Sequence, residues 1–163
     1  MKAVILAGGK GTRLGALAQD IPKPMVSVGG MSVLQHQLKL LKRYGIKEVI
    51  LITGHLSEVI ERDIGDGTKF GLTVAYYREQ QPLGTTGGLK EMEHRLTDDF
   101  FVLYGDVMID LDLRSLEEYH RRKRGVGTLV VHPNDHPHDS DLLELDQENR
   151  VIAVHPKPHE ETR

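Results

Sequence analysis

From Lys2 to Ala7 the chain reads KAVILA, apolar at consecutive rather than alternate positions. That pattern predicts a strand covered on both faces, as in a parallel sheet. After Ser32, the segment VLQHQLKLLKRYG sets Val33, Leu34, Gln37, Leu38, Leu40, Leu41 and Tyr44 along one helical stripe. Ser32 and Gln35 are spaced as a capping box, and Gly45 supplies the left-handed residue that ends the helix. A strand is predicted at Glu48 to Thr53, a helix from about Leu56 to Ile64, a Gly-rich turn at GDGTKFG and a strand at Leu72 to Tyr77. GTTGG then precedes a helix carrying Leu89, Met92 and Leu96, and Phe100 to Tyr104 is a buried-type strand ending in Gly105 and Asp106. The order β-α-β-α-β-α-β predicts a three-layer α/β fold with a mostly parallel sheet, whose ligands lie beyond the strand C-termini. After Gly125 the texture changes. GTLVVHP, LLELD and RVIAVHP read as short strands forming a small antiparallel C-terminal addition, and the absence of linkers or repeats predicts one domain over 1–163.

Composition narrows the classes. A chain of 163 residues buries roughly 70% of its unfolded surface without metal or disulfide staples, and this one contains no cysteine. Disulfide frameworks, thiolate zinc sites and thiol catalysis are therefore excluded. A net charge of −3 gives no field toward nucleic acid or anionic lipid, and 5% aromatics are too few for a base-stacking surface. The basic run Arg121 to Arg124 reads as the solvated end of a helix, where the dipole favours cations. The six apolar residues near the start are fewer than a signal segment or a membrane span requires. No nucleic-acid or membrane partner is expected, and a cytoplasmic location is.

Gly8-Gly9-Lys10-Gly11-Thr12-Arg13 follows the first strand. Glycines let a phosphate approach the backbone amides, and Lys10 and Arg13 add positive charge, so this loop is expected to cradle phosphates. A plain strand-to-helix turn would need the glycines but neither cation. A Walker loop fails because no Gly-Lys-Ser or Gly-Lys-Thr occurs, and the dinucleotide fingerprint fails because its third glycine position is Leu14. In Pro22-Lys23-Pro24-Met25, two prolines hold an extended segment and fix the direction of one lysine.

GGKGTRL and PKPM, followed by PLGTTGGL at Pro82 to Leu89, LYGDV at Leu103 to Val107 and PKP at Pro156 to Pro158, occur in one order along nearly the whole chain. Together they resemble the signature of the sugar-1-phosphate nucleotidylyltransferases, most closely the mannose 1-phosphate and D-glycero-D-manno-heptose 1-phosphate guanylyltransferases. The resemblance implies a Rossmann-like nucleotidyltransferase fold in which a sugar 1-phosphate attacks the α-phosphorus of a nucleoside triphosphate, here GTP, and pyrophosphate leaves. It assigns Arg13 to the β- and γ-phosphates, Lys23 to the α-phosphate and Asp106 to Mg²⁺. The nucleotide is expected against Leu6, Ala7, Gly8, Gly9, Gly11 and Thr12, with Gly84, Thr85 and Gly88 at the base. Lys157 corresponds to the family lysine that binds the sugar phosphate, although Pro156 stands where the family has Glu. The resemblance further implies homo-oligomerisation or association with a phosphatase, and a C-terminal part beyond the present chain.

Two other clusters carry less. Asp110 and Asp112 match the Asp-x-Asp pattern of metal-dependent glycosyltransferases, but Asp112 precedes LRSLEEYH and is assigned to capping that helix. His132, His136, His138, His155 and His159 lack a spacing that would converge imidazoles on zinc and are assigned to surface loops.

Overall fold

The computed structural model describes residues 1–9, 21–81, 83–133, 138 and 140–158. These divide into two compact units, 1–117 and 118–163. In the first unit, β1 (Lys2–Ala7), β4 (Glu48–Thr53), β5 (Thr73–Arg78) and β6 (Phe100–Tyr104) form a four-stranded sheet in the order β5-β4-β1-β6. All three pairings are parallel. A short antiparallel pair, β2 (Ser27–Val28) and β3 (Met31–Ser32), leads into α1 (Val33–Arg43). Among the described residues the other α-helices are α2 (Ser57–Ile64), α3 (Gly84–Glu91) and α4 (Leu113–Lys123).

Period-two alternation explains why β1 is apolar throughout. Ala3, Ile5 and Ala7 join Leu34, Leu38, Leu41, Val49, Leu51, Ile60 and Ile64 in one cluster, so α1 and α2 cover that face. Val4 joins Ile50, Ile52 and Met92 in a second cluster on the other face, with Leu6 and Leu89 against it. Helix, sheet and helix therefore make three layers, the larger core lying under α1 and α2. The expected capping box is present, with Ser32 Oγ accepting from the Gln35 amide and Gln35 Oε1 accepting from the Ser32 amide. Gly45 has a φ of 80°, the left-handed turn that ends α1.

Three local expectations are corrected. GTTGG does not precede the third helix but forms its first turns, α3 opening at Gly84, and the stretch ends in a separate 3-10 turn at Glu93–Arg95. The third strand runs Thr73–Arg78, one residue later than the hydrophobic pattern suggested, because Leu72 packs in the core before the ladder with β4 begins. GTLVVHP forms no strand: Leu129, Val130 and Val131 are exposed and carry no ladder among the described residues, so β propensity alone does not fix the backbone.

The second unit carries the antiparallel pair β7 (Leu142–Leu145) and β8 (Val151–His155), as expected. Its basic run is exposed as expected: Arg121, Arg122 and Lys123 lie in the last turn of α4 and Arg124 directly after it. Asp112 does cap that helix, accepting from the Arg114 and Ser115 amides and from Ser115 Oγ. Among the described residues no helix is long and apolar enough to cross a membrane.

Candidate active site

The chain passes from β1 outward through β4 to β5, then returns to place β6 on the other side of β1. Such a reversal leaves a crevice beyond the strand C-termini, because successive connections leave in opposite directions. A cleft of about 310 Å³ occupies that position, lined by Leu6, Ala7, Gly8, Gly9, Lys23, Pro24, Ile52, Glu79, Gly84, Thr85, Tyr104 and Asp106. Register pairs Leu6 with Ile52 on one side and with Tyr104 on the other, so these side chains form a row across three strands on the α3 face. Strand spacing makes that apolar floor about 10 Å wide, a surface against which a flat ring can lie.

Backbone contacts explain the glycines at the cleft. A Cβ on Gly54 would stand 2.9 Å from the Gly8 carbonyl oxygen, so the chain leaving β4 touches the chain leaving β1 backbone to backbone. A Cβ on Gly105 would stand 3.0 Å from the Leu6 carbonyl oxygen and 3.1 Å from Pro24 Cγ. The Gly105 amide instead donates to Leu6 O at 2.9 Å, carrying the β1–β6 ladder into the turn that presents Asp106.

At the β6 end of the cleft, Lys23 Nζ lies 3.6 Å from Asp106 Oδ2, the lysine side chain 23% exposed and the carboxylate 44%. Lys23 opens a 3-10 turn, Lys23–Met25, closed by the Met25 amide donating to Pro22 O and the Val26 amide to Lys23 O. Pro24 is buried beneath it. The extended segment expected at Pro22 to Met25 is corrected: only Pro22 is extended, and Lys23 opens a 3-10 turn, because Pro24 sits in its first turn, where a missing amide costs no hydrogen bond.

Toward the α3 side stands Glu79, which sequence reasoning missed. Its amide extends the β4–β5 ladder by donating to Thr53 O at 2.8 Å. Its carboxylate fits between two glycines: a Cβ on Gly8 would stand 2.7 Å from Oε2, and one on Gly88 3.1 Å from Oε1. Burial raises the Glu79 pKa, with the Leu83 amide pulling weakly the other way. The available signal was the position of Glu79 directly after a strand, at the sheet end where ligands gather.

The structure therefore brings Leu6, Ala7, Gly8, Gly9, Lys23, Gly84, Thr85 and Asp106 to one cleft. Gly88 is buried rather than open to it, and a Cβ there would also stand 2.7 Å from Ile52 Cγ2, so this glycine serves close packing of α3 on the sheet. Gly11, Thr12 and Arg13, with Lys10, lie outside the described residues. Lys157 belongs to the second unit, where its amide donates to Asp141 Oδ1 at 3.1 Å. Gln80 and Gln81 are exposed and do not line the cleft. Among the described residues no three His, Cys, Asp or Glu side chains converge as a metal cage.

Comparison with known proteins gives this geometry a family. The family model described as Nucleotidyl transferase matches residues 2–163. A mannose-1-phosphate guanylyltransferase of Mycobacterium tuberculosis is 39% identical over 93% of this chain and 42% of its own length. A UTP–glucose-1-phosphate uridylyltransferase of Synechocystis is 34% identical over 97% of this chain and 44% of its own. The chain thus spans less than half the length of these curated relatives. Among solved structures, a Bacillus anthracis protein described as a glucose-1-phosphate thymidylyltransferase, crystallised with a sucrose, superposes with a TM-score of 0.86 at 26% identity, covering 97% of this chain and 65% of that one. HddC from Yersinia pseudotuberculosis, crystallised with GMP-PN, gives a TM-score of 0.74 at 26% identity, covering 97% of this chain and 70% of that one. By sequence over its whole length, and by a Rossmann-like sheet with its cleft at the strand reversal, this chain belongs to the nucleotidyl transferase family, among its sugar-1-phosphate members.

Proposed function

We propose that the cleft binds a nucleoside triphosphate, GTP foremost, and joins it to a sugar 1-phosphate of the mannose or manno-heptose type. A phosphate oxygen of the sugar attacks the α-phosphorus, the bond from that phosphorus to the bridging oxygen breaks, and pyrophosphate carries the electron pair away. Both reactants are anions, so the protein's task is alignment and charge neutralisation. The observation that carries the reading is the Lys23–Asp106 pair at 3.6 Å, a fixed cation and a carboxylate at the mouth of the strand reversal. A partly exposed pair of this kind is worth no more than about 1 kcal/mol. Exchanging it for a phosphate at Lys23 and a metal at Asp106 therefore costs little.

Mg²⁺ fits this donor set, since it characteristically takes one or two carboxylates and fills its remaining positions with phosphate oxygens and water. When bound it supplies positive charge that stabilises the developing pyrophosphate. Asp106 would hold it, and Lys23 would remain to hold the α-phosphate. Arg13 is proposed for the β- and γ-phosphates, Gly8, Gly9, Gly11 and Thr12 for the backbone cradle, and Lys157 for the sugar phosphate.

Glu79 supports guanine among the bases. A carboxylate offers only acceptors, and guanine is the one common base whose Watson–Crick edge presents adjacent N1–H and N2–H₂ donors. Glu79 follows β5, at the opposite edge of the sheet from β6 and Asp106, and its carboxylate stands against Gly88 of α3 as well as Gly8, which suits the base end of the nucleotide. Guanylyltransferases among the relatives favour the same choice, and the uridylyltransferase among them makes the choice worth testing directly.

The test is a melting panel of the four common triphosphates with Mg²⁺, followed by pyrophosphate release with mannose 1-phosphate or the manno-heptose 1-phosphate. A ligand at 100 times its Kd stabilises by about 2.7 kcal/mol. For a domain of this size that shifts Tm by roughly 5–10 °C. GTP is expected to give the largest shift, and pyrophosphate to appear only when a sugar phosphate is added. Equal shifts from all four triphosphates would remove the guanine assignment. GTP binding without turnover would leave the chain a nucleotide-binding module, and no shift from any triphosphate would defeat the reading entirely.

A further inference from the structure

We infer that Gln37, on α1, is a positioning residue that sets the Asp106 carboxylate, acting through both ends of the turn that carries it. The inference rests on the reading of Asp106 as the metal-facing carboxylate. Tyr104 to Val107 form a tight turn, the Val107 amide donating to Tyr104 O at 3.2 Å, with Gly105 and Asp106 at its centre. Gln37 Nε2 donates to Tyr104 O at 2.8 Å and to Val107 O at 2.7 Å. One amide group therefore ties the first and last carbonyls of the turn to the helix behind it.

Gln37 is only 1% exposed and sits on the apolar stripe of α1, where the hydrophobic pattern would accept Leu or Met. Its Oε1 is buried with no hydrogen-bond partner among the described residues. The two carbonyls fix the amide orientation, since a flipped amide would set oxygen against oxygen. Leaving a buried acceptor unpaired is unfavourable, so the two donors are retained at a cost in stability that an apolar residue would avoid. That trade is expected where a side chain serves geometry rather than packing. α1 is also anchored at the Lys23 side, because the Val33 amide donates to Val26 O at 3.0 Å, directly after the 3-10 turn. The same helix thus supports both members of the Lys23–Asp106 pair.

The experiment uses Gln37→Met in the full chain, with GTP as the nucleotide and Mn²⁺ as the metal probe. Calorimetry measures GTP affinity with and without Mn²⁺, and a melting curve confirms folding; Gln37→Leu replaces the methionine variant should that fail to fold. Metal-free affinity is expected to stay within twofold of wild type while the enhancement by Mn²⁺ falls about tenfold. In an Asp106→Asn background the same substitution is expected to change nothing further, because residues acting through one group are not additive. An undiminished Mn²⁺ enhancement in the Gln37 variant overturns the proposal, and so does an equal loss with Asp106→Asn already present. If Asp106→Asn alone leaves the enhancement intact, the reading of Asp106 fails first and the role of Gln37 falls with it.

Discussion

Asp106→Asn is expected to lower pyrophosphate release by about 100- to 1,000-fold, the usual cost of removing one electrostatic element aimed at developing charge, while leaving metal-free GTP affinity unchanged or a few fold higher. The increase has a local cause. Lys23 faces Asp106 at 3.6 Å, so neutralising the carboxylate frees the ammonium for phosphate. Lys23→Met should behave in the opposite way. A charge-assisted hydrogen bond is worth about 1.5–3 kcal/mol, so triphosphate affinity falls about 10- to 100-fold whether or not metal is present, and turnover falls with it. Equilibrium binding with and without Mg²⁺, beside turnover at saturating GTP, separates the two variants. Parallel losses in all three measurements would mean that the pair is a structural latch and that the phosphates bind elsewhere.

The sheet and its cleft were legible because period and punctuation agree. KAVILA and EVILIT are apolar enough to be central strands, and Ser32, Gln35 and Gly45 mark the ends of α1 at their observed positions. Lys23 and Asp106 were legible through their neighbours, the prolines on either side of one and the strand and glycine before the other. What stayed hidden depends on contacts remote in sequence. Gln37 looked like one more position on a helical stripe, and its partners lie 67 and 70 residues away. Glu79 ended a strand among polar residues, and only the fold sets its carboxylate between Gly8 and Gly88. The strand expected at GTLVVHP failed for the same reason: β-branched residues state a preference, and a ladder needs a partner that local sequence does not name.

Glu79→Gln is expected to exchange base preference rather than abolish binding. The glutamine keeps the size of the side chain but presents one acceptor and one donor. In the register that sets the side chain against guanine N1–H and N2–H₂, one donor then loses its acceptor and meets an N–H, while uracil, with N3–H beside O4, finds both partners. A buried donor left facing a donor costs about 1–3 kcal/mol, so GTP affinity should fall about 10- to 100-fold and UTP affinity should rise, measured by competition against one labelled triphosphate. The pH dependence provides an independent check. Two N–H donors require the ionised carboxylate, and burial raises the Glu79 pKa. In the wild type, GTP affinity should therefore climb as pH rises through a window above the ordinary glutamate range, and the glutamine variant should lose that climb. Stability of the ligand-free protein runs the other way. A carboxyl that binds its proton more tightly folded than unfolded favours the native state at low pH, and that advantage is lost as pH rises from the unfolded toward the folded value. Glu79→Gln should accordingly melt higher than wild type above that window and bind GTP less well. A variant that melts lower and keeps its GTP preference would place Glu79 in the scaffold and leave base selection to other groups.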